Sequence, residues 1–447
     1  MIFVGINCED NTTEISKEVR PVNGDFYVSP SGSDDNPGTK SLPWRTVEKA
    51  INGTSPGKIV VVLAGNYDEF ITIEKSGNNE IERIVLFSET LHGARCWGFR
   101  IEGDYVSIDG FEIEAFKPNY SGVEVPGNSY VEILNCYIHE CPTGGIRISR
   151  GALNAKVYGN ILHHNGQYGI SLSGTNGLIE KNEITQTVQY HPKGMLSTQT
   201  GADADGIRLF GANHIVRGNR VLNIGDVTDK GNLNPHSDCL QTWDVGTGEP
   251  ILTNTIIEQN FFSVSHYSGK GILIDAVHGN ACHDLIIRNN VFEFRDIGIA
   301  ATSGEFYDIF IYNNVFKAKL NDDVWGTSVA LTNVTNYQVV NNITADCAPE
   351  HRKITGGNGV VDYNLSWNSD GSRLTLSPDL QTHELKATDP LFVNYSQQYG
   401  VNDYRLRSGS PAINAGFSIP DVTNDFDGAA RPHGVGFDIG AFEFTGK

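Results

Sequence analysis

Ile287-Arg-Asn-Asn290, Ile311-Tyr-Asn-Asn314 and Val339-Val-Asn-Asn342 repeat one phrase: an apolar residue, two further residues, then an asparagine. Outward from these three, the phrase recurs as Glu132-Ile-Leu-Asn135, Val157-Tyr-Gly-Asn160, Ile179-Glu-Lys-Asn182, Val216-Arg-Gly-Asn219, Ile257-Glu-Gln-Asn260 and Val361-Asp-Tyr-Asn364. The steps between successive asparagines are 25, 22, 37, 41, 30, 24, 28 and 22 residues. A basic period in the low twenties, built of short β-branched runs and polar turns, predicts a parallel β-helix in which each coil stacks on the last. Asparagine suits the turn twice over. It tolerates the left-handed backbone, and its amide can bond to the same residue one coil away. These nine asparagines are therefore expected to be structural.

The irregular steps are the informative ones. Coils of 37 and 41 residues must eject roughly 15 extra residues each as loops, and insertions in solenoids collect on one, often binding, face. A second marker fixes the strand after each turn: Gly145-Ile-Arg-Ile, Gly169-Ile-Ser-Leu, Gly206-Ile-Arg-Leu, Cys239-Leu-Gln-Thr, Gly271-Ile-Leu-Ile and Gly298-Ile-Ala-Ala. Alternation sends Ile146, Ile170, Ile207, Leu240, Ile272 and Ile299 into the core, with Arg147, Ser171, Arg208 and Gln241 outward. The residue before each marker is Gly144, Tyr168, Asp205, Asp238, Lys270 and Ile297. Asp205, Asp238 and Lys270 thus share a column, about 4.8 Å apart per rung.

The ends read differently. Phe26-Tyr-Val-Ser-Pro-Ser-Gly-Ser-Asp-Asp-Asn-Pro-Gly38 followed by Pro43-Trp-Arg-Thr-Val-Glu-Lys-Ala-Ile51 predicts a first strand, a turn and a short amphipathic helix covering the open end of the solenoid. Past residue 388 the repeat is lost. Asp389-Pro-Leu-Phe392, Arg407-Ser-Gly-Ser-Pro-Ala-Ile-Asn414 and Gly436-Phe-Asp-Ile-Gly-Ala-Phe-Glu443 predict an irregular cap. The expected organisation is an N-terminal tail over 1–24, an all-β right-handed parallel β-helix with its capping helix over 25–388, and a C-terminal cap over 389–447.

Composition excludes several classes of function. Of 447 residues, 33 are Lys or Arg and 53 Asp or Glu, a formal charge of −20. That field opposes nucleic acid and anionic membrane as partners. No stretch approaches the roughly 20 apolar residues of a membrane span. The apolar opening Met1-Ile-Phe-Val-Gly-Ile6 is shorter than the 7 to 15 residues, roughly, of a signal-peptide core. A secreted or periplasmic protein whose export signal has been removed is the expectation, acting as a monomer. The seven cysteines, Cys8, Cys96, Cys136, Cys141, Cys239, Cys282 and Cys347, lack zinc or redox spacing and are expected as buried, reduced small hydrophobes.

The end segments and coil pattern resemble the large, mostly exported bacterial family of right-handed parallel β-helix proteins that includes pectate lyases and other carbohydrate-active enzymes. Two subfamilies resemble the acidic column. Polygalacturonases carry Asn-Thr-Asp-Gly, Asp-Asp-Cys and Gly-His-Gly on successive coils. Here the matching stretches are Ala202-Asp-Ala-Asp205-Gly206, Ser237-Asp238-Cys239 and Gly269-Lys270-Gly271, so Ser237 replaces one acid and Lys270 the histidine. Family 9 pectate lyases pair an Asp-Gly strand start and an Asp-rich coil, which hold calcium, with a lysine base one coil later. Asp205-Gly206 and Asp238 match that set. Gln241 stands where a further Asp is expected, and the family's lysine lies slightly further along its strand than Lys270.

The function expected is a polysaccharide lyase that cleaves a uronic-acid-containing polysaccharide by β-elimination, with calcium or arginine neutralising the uronate carboxylate. Asp203, Asp205 and Asp238 offer the hard oxygen ligands that Ca²⁺ prefers. Lys270 is the first choice of base and His236 the second, because lysine must be desolvated to act while histidine titrates near neutrality unaided. Asp205 and Asp238 complete the catalytic set. Arg208 and Arg147 are candidates for pairing with substrate carboxylates and Trp243, Tyr190 and Tyr267 for stacking on sugar rings, with Lys230, His266 and Gln241 as further substrate-binding candidates. Loop residues Tyr190, Lys193, Asp226, Asp229 and Asp244 lie nearby in register. His163, His164, His278 and His283 lack partners at ligand spacing and are read as turn or surface residues. The alternatives are a glycoside hydrolase using paired aspartates as acid and base, a uronate C5-epimerase, and a non-catalytic carbohydrate-binding solenoid.

Overall fold

Isoleucine and valine recur at one inward position coil after coil: Ile133, Val157, Ile179, Val216, Ile257, Ile287, Ile311 and Val339 are aligned rung on rung and almost wholly buried. The computed structural model describes residues 18–20, 22–115, 120–188, 203–225, 237–244, 252–266, 268–276, 278, 281–320, 326–348, 351–372 and 383–446. Among these residues the architecture is a parallel β-helix. One continuous sheet of 22 strands and a second of 13 strands wrap a single core that runs the length of the solenoid. The larger sheet spans two faces, which merge where the chain rounds a corner without a break, as in the strand Thr327–Val340. On the smaller sheet Phe262, Phe292 and Phe316 align, with ring centroids 5.4 and 4.9 Å apart.

Two adjacent columns form the asparagine turn. Asn160, Asn182, Asn219, Asn260, Asn290, Asn314, Asn342 and Asn364 make a buried ladder, each but the last donating Nδ2 to the next residue's Oδ1 at 2.9–3.0 Å. Asn135, expected as its first member, instead takes the preceding left-handed position (φ 49), shared with Lys181, Gln259, Asn289, Asn313, Asn341 and Tyr363. Cys136 fills the ladder position on that rung, and its amide donates to Asn160 Oδ1 at 2.9 Å. The phrase is one residue out of phase there, so the shared asparagine hides two different roles.

At the N-terminal end the helix Val47–Gly53 begins at Thr46, whose side chain accepts from the Lys49 amide. Val47, Ala50 and Ile51 turn its apolar face to the solenoid's open end. The parallel rungs run from Phe26 to Lys386; beyond them the chain forms an antiparallel pair, Phe392–Asn394 with Asp403–Leu406, and irregular turns. This C-terminal segment docks around Glu293, a buried carboxylate that accepts from Ser263 Oγ, Asn402 Nδ2, the Gly400 amide and Tyr404 Oη. Six cysteines are buried and free, as expected; Cys8 lies outside the described residues.

Candidate functional site

Strict alternation along the strand Asp205–Ala212 would turn Asp205 and Ile207 the same way, but the strand does not alternate at its start. A Cβ added to Gly206 would lie 2.3 Å from Val221 Cγ1, so this glycine also faces the core, directly before Ile207. Cys239, one rung on, fills that inward position as a small buried side chain. Two successive inward residues leave Asp205 and Arg208 together on the outer side, where Asp205 Oδ2 accepts from Arg208 Nε at 2.7 Å. The marker glycine therefore decides which way the acid points.

The column is present as expected. Tyr168 aligns with Asp205, Asp238 with Lys270, and Lys270 with Ile297. Backbone amides bind the acids in sequence: the Asp238 N–H donates to Asp205 Oδ1 at 3.3 Å, and the Lys270 N–H to Asp238 Oδ1 at 3.0 Å. Both carboxyls are fully buried. Asp238 Oδ2 has no hydrogen-bond partner among the described residues, and the same holds for the buried Gln241 Oε1 and Ser237 Oγ.

Burial sets the electrostatics. Desolvation pushes Asp205 up to about 7, against the pull of the Arg208 guanidinium, and the half-buried Asp203 adds to the rise. Asp238 is driven well above the carboxylate range, chiefly by desolvation, with Lys270 opposing and Asp205 reinforcing. Two neighbouring buried acids that resist joint ionisation call for a proton or a cation between them.

Arg208, expected to meet substrate, is already engaged. Besides Asp205 it donates to the Gln167 carbonyl at 3.2 Å, and its guanidinium lies 5.0 Å from the Tyr168 ring and 5.5 Å from that of Trp243. Trp243 also meets the edge of Phe210, at 4.6 Å between centroids. Arg147 shares the Arg208 column two rungs away, through Ser171, and is exposed. Lys270 Nζ donates to the Ser268 carbonyl at 3.0 Å and lies 3.5 Å from Asp296 Oδ2. Ser268 in turn hydrogen-bonds His266 Nδ1 at 3.0 Å, so the buried His266 joins the Lys270 end of the column. The outward position further along the lysine's strand, aligned with Gln241, is Leu273. His236, Lys230, Tyr267, Tyr190, Lys193, Asp226 and Asp229 lie outside the described residues.

Two partners escaped the sequence reading. Asp296 directly precedes Ile297, the residue aligned with Lys270, so its reach was legible in the register. His278, read as a lone surface residue, is paired with the buried Asp244 at 2.7 Å through Nδ1.

Residues 26–226 match the family described as the Pel9A-like right-handed β-helix region. The uncharacterized protein YwoF of Bacillus subtilis (strain 168) is 26% identical over 321 residues, 66% of this chain and 63% of that protein. Pectate lyase L of Thermoclostridium stercorarium is 30% identical over 138 residues, 28% of this chain and 11% of that enzyme. The chain thus spans less than two thirds of the length of either relative. Among solved structures, pectate lyase Pel9A superposes with a TM-score of 0.50 at 17% identity, over 94% of this chain and 96% of that one. XylC in complex with xylose gives 0.59 at 12% identity, over 94% and 98%. Both show the shared fold. Residues 26–226 thus match a Pel9A-like right-handed β-helix region, and the coil architecture of the described residues is the right-handed parallel β-helix fold of these solved structures.

Proposed function

We propose that the protein is an exported polysaccharide lyase that cleaves a uronate-containing chain by β-elimination. The observation that carries this reading is the buried pair Asp205 and Asp238, with an unpartnered carboxylate oxygen on Asp238 and a lysine on the next rung. Matches to the Pel9A-like region and to part of pectate lyase L support it.

Elimination needs three things: a substrate carboxylate neutralised so that the C5 proton becomes acidic, a base to take that proton, and a route for the electron pair, which expels the 4-linked oxygen. Lys270, on the rung beside Asp238, is the proposed base, with His236 as second choice. In its resting contacts Lys270 Nζ is held by Ser268 and Asp296, so a substrate would have to draw it off those partners. Arg147 is an exposed guanidinium in the Arg208 column and would hold a substrate carboxylate.

Among the described residues no three His, Cys, Asp or Glu side chains converge as a metal site. Asp238 Oδ2 and Gln241 Oε1 are left open by the hydrogen bonding, and with Asp203 and Asp205 they are oxygens of the type that calcium takes and would be its ligands. Bound there, calcium would supply the positive charge that neutralises a uronate carboxylate.

A raised carboxyl beside a second acid also suits general-acid work, which favours hydrolysis as the second reading. One assay separates the two. The ultraviolet absorbance of a 4,5-unsaturated uronate is followed on pectate, alginate, glucuronan and glycosaminoglycans, with calcium and then chelator. A rise establishes elimination, and its loss on chelation supports the calcium set. A flat trace with new reducing ends makes the protein a hydrolase.

A further inference from the structure

The outer faces of the strands Asp238–Trp243 and Lys270–Asp275 form one strip. It begins at Asp238 and Lys270, passes Gln241 and Leu273, and ends at Trp243 and Asp275. Six residues of strand separate Asp238 from Asp244, about 20 Å of path. His278 stands at that far end. Its Nδ1 bonds the Asp244 carboxylate at 2.7 Å, and its backbone amide donates to the other oxygen of the same carboxylate. The Asp244 side chain is wholly buried, whereas that of His278 is 63% exposed.

The consequence is a ring fixed at one nitrogen and presented to solvent at the other. With Nδ1 facing the carboxylate, Nε2 is the edge turned outward, and the buried Asp244 favours the imidazolium. Asp244 and Asp275, the acids at the ends of the two strands, are the charged groups that face it, and the Asp244 bond foremost holds its pKa above the usual histidine value. A cation at this place matters to a chain of charge −20 that would hold a polyanion, because two cations beside the acid pair are already engaged. Arg208 is engaged by Asp205, and Lys270 by Ser268 and Asp296.

We propose that His278, positioned by Asp244, anchors a carboxylate of the polymer at the far end of the strip, several sugar residues from the acid pair. This rests on the reading of the substrate as a uronate polymer, though not on the reaction performed on it. The molecule contains an internal control. His383 is held by Asp362 in the same manner, amide to one oxygen at 3.1 Å and Nδ1 to the other at 2.8 Å, on the terminal rung away from the acids.

The test is affinity electrophoresis of the full chain through gels containing pectate, alginate or a neutral dextran, at about pH 5.5 and about pH 8, either side of the imidazole range. His278→Ala is expected to weaken retention by the bound uronate polymer about fivefold at the lower pH, the effect of losing one solvent-exposed ion pair. Retention of the parent protein should fall on going to the higher pH, while His278→Lys should remain retained at both. His383→Ala should match the parent. Equal retention of His278→Ala and parent, or an equal loss in dextran, overturns the proposal. If the parent binds no uronate polymer, this inference and the substrate reading fall together. Binding that depends on His278 without unsaturated product sinks only the lyase reading.

Discussion

The amide of Asp238 donates to the carboxylate of Asp205 one rung away, so the two buried acids are joined through backbone as well as through space. Their surroundings differ. Asp205 is matched by Arg208, while Asp238 keeps one oxygen without a partner among the described residues. This asymmetry separates a structural acid from one free to bind or transfer, and the predictions begin from it.

Replacing the two acids should split stability from activity. Asp205→Asn strips the part-buried Arg208 of its counter-ion and should cost about 3 kcal/mol. Asp238→Asn keeps the acceptor for the Lys270 amide and should stay within about 1 kcal/mol of the parent, yet lower turnover by a factor on the order of 10² to 10⁴. Thermal unfolding alongside the ultraviolet assay checks both; a large stability loss in Asp238→Asn would recast the pair as scaffold.

The acid pair also fixes the sign of a pH effect. Asp205 is raised to about 7 from the ordinary carboxylate value of 3.8, so the folded chain holds a proton there that the unfolded chain has released. That contribution is complete below the unfolded pKa and is lost as pH rises through about 7. Asp238 shifts in the same direction. Denaturant unfolding should show the pair's contribution shrinking between about pH 4 and about pH 7, with a flatter profile in Asp238→Asn.

Calcium should reverse that loss at neutral pH. A cation bound only by the folded state at a hundred times its dissociation constant adds about 2.7 kcal/mol. A rise in melting temperature with calcium, abolished by chelator and absent in Asp238→Asn, is the expected result. No shift in the parent protein would remove the metal from the proposal and leave neutralisation of the substrate to Arg147.

The asparagine ladder should be costly to interrupt at any middle rung. Asn260 donates to the Val216 carbonyl and to Asn290, and accepts from both the backbone and side-chain amides of Asn219. Asn260→Leu removes the acceptor of both Asn219 amides and the donor to the Val216 carbonyl, all buried, and should cost about 2 to 4 kcal/mol in chemical denaturation. Replacement of the exposed outer Asn254 by glycine, which keeps its left-handed backbone (φ 45), is the comparison, expected to cost well under that.

At the C-terminal cap, Lys317 is buried, donates to the Gln397 carbonyl at 3.1 Å and lies 4.1 Å from the Tyr399 ring. Desolvation lowers it from 10.5 to about 8, so the folded chain releases a proton the unfolded chain keeps. Stability of the cap should therefore rise between about pH 8 and about pH 10.5. Lys317→Met should abolish the slope, as read by tryptophan fluorescence of Trp367, which packs on Tyr395 at the cap.

The sequence by itself determined the solenoid and the column. A repeated inward Ile or Val and a repeated turn asparagine leave stacked coils as the way to bury one face, and register then forces Asp205, Asp238 and Lys270 into line. It misplaced Asn135 by one residue, because asparagine serves both the left-handed turn and the ladder beside it. Only the tertiary structure decided which charges are free. Arg208 and Lys270 look alike as outward cations in the sequence, yet one is matched by Asp205 and the other by Ser268 and Asp296, while His278 gains a partner from a strand 34 residues earlier. Side chains choose partners by distance and desolvation across rungs, and those depend on where loops return, which periodicity does not encode.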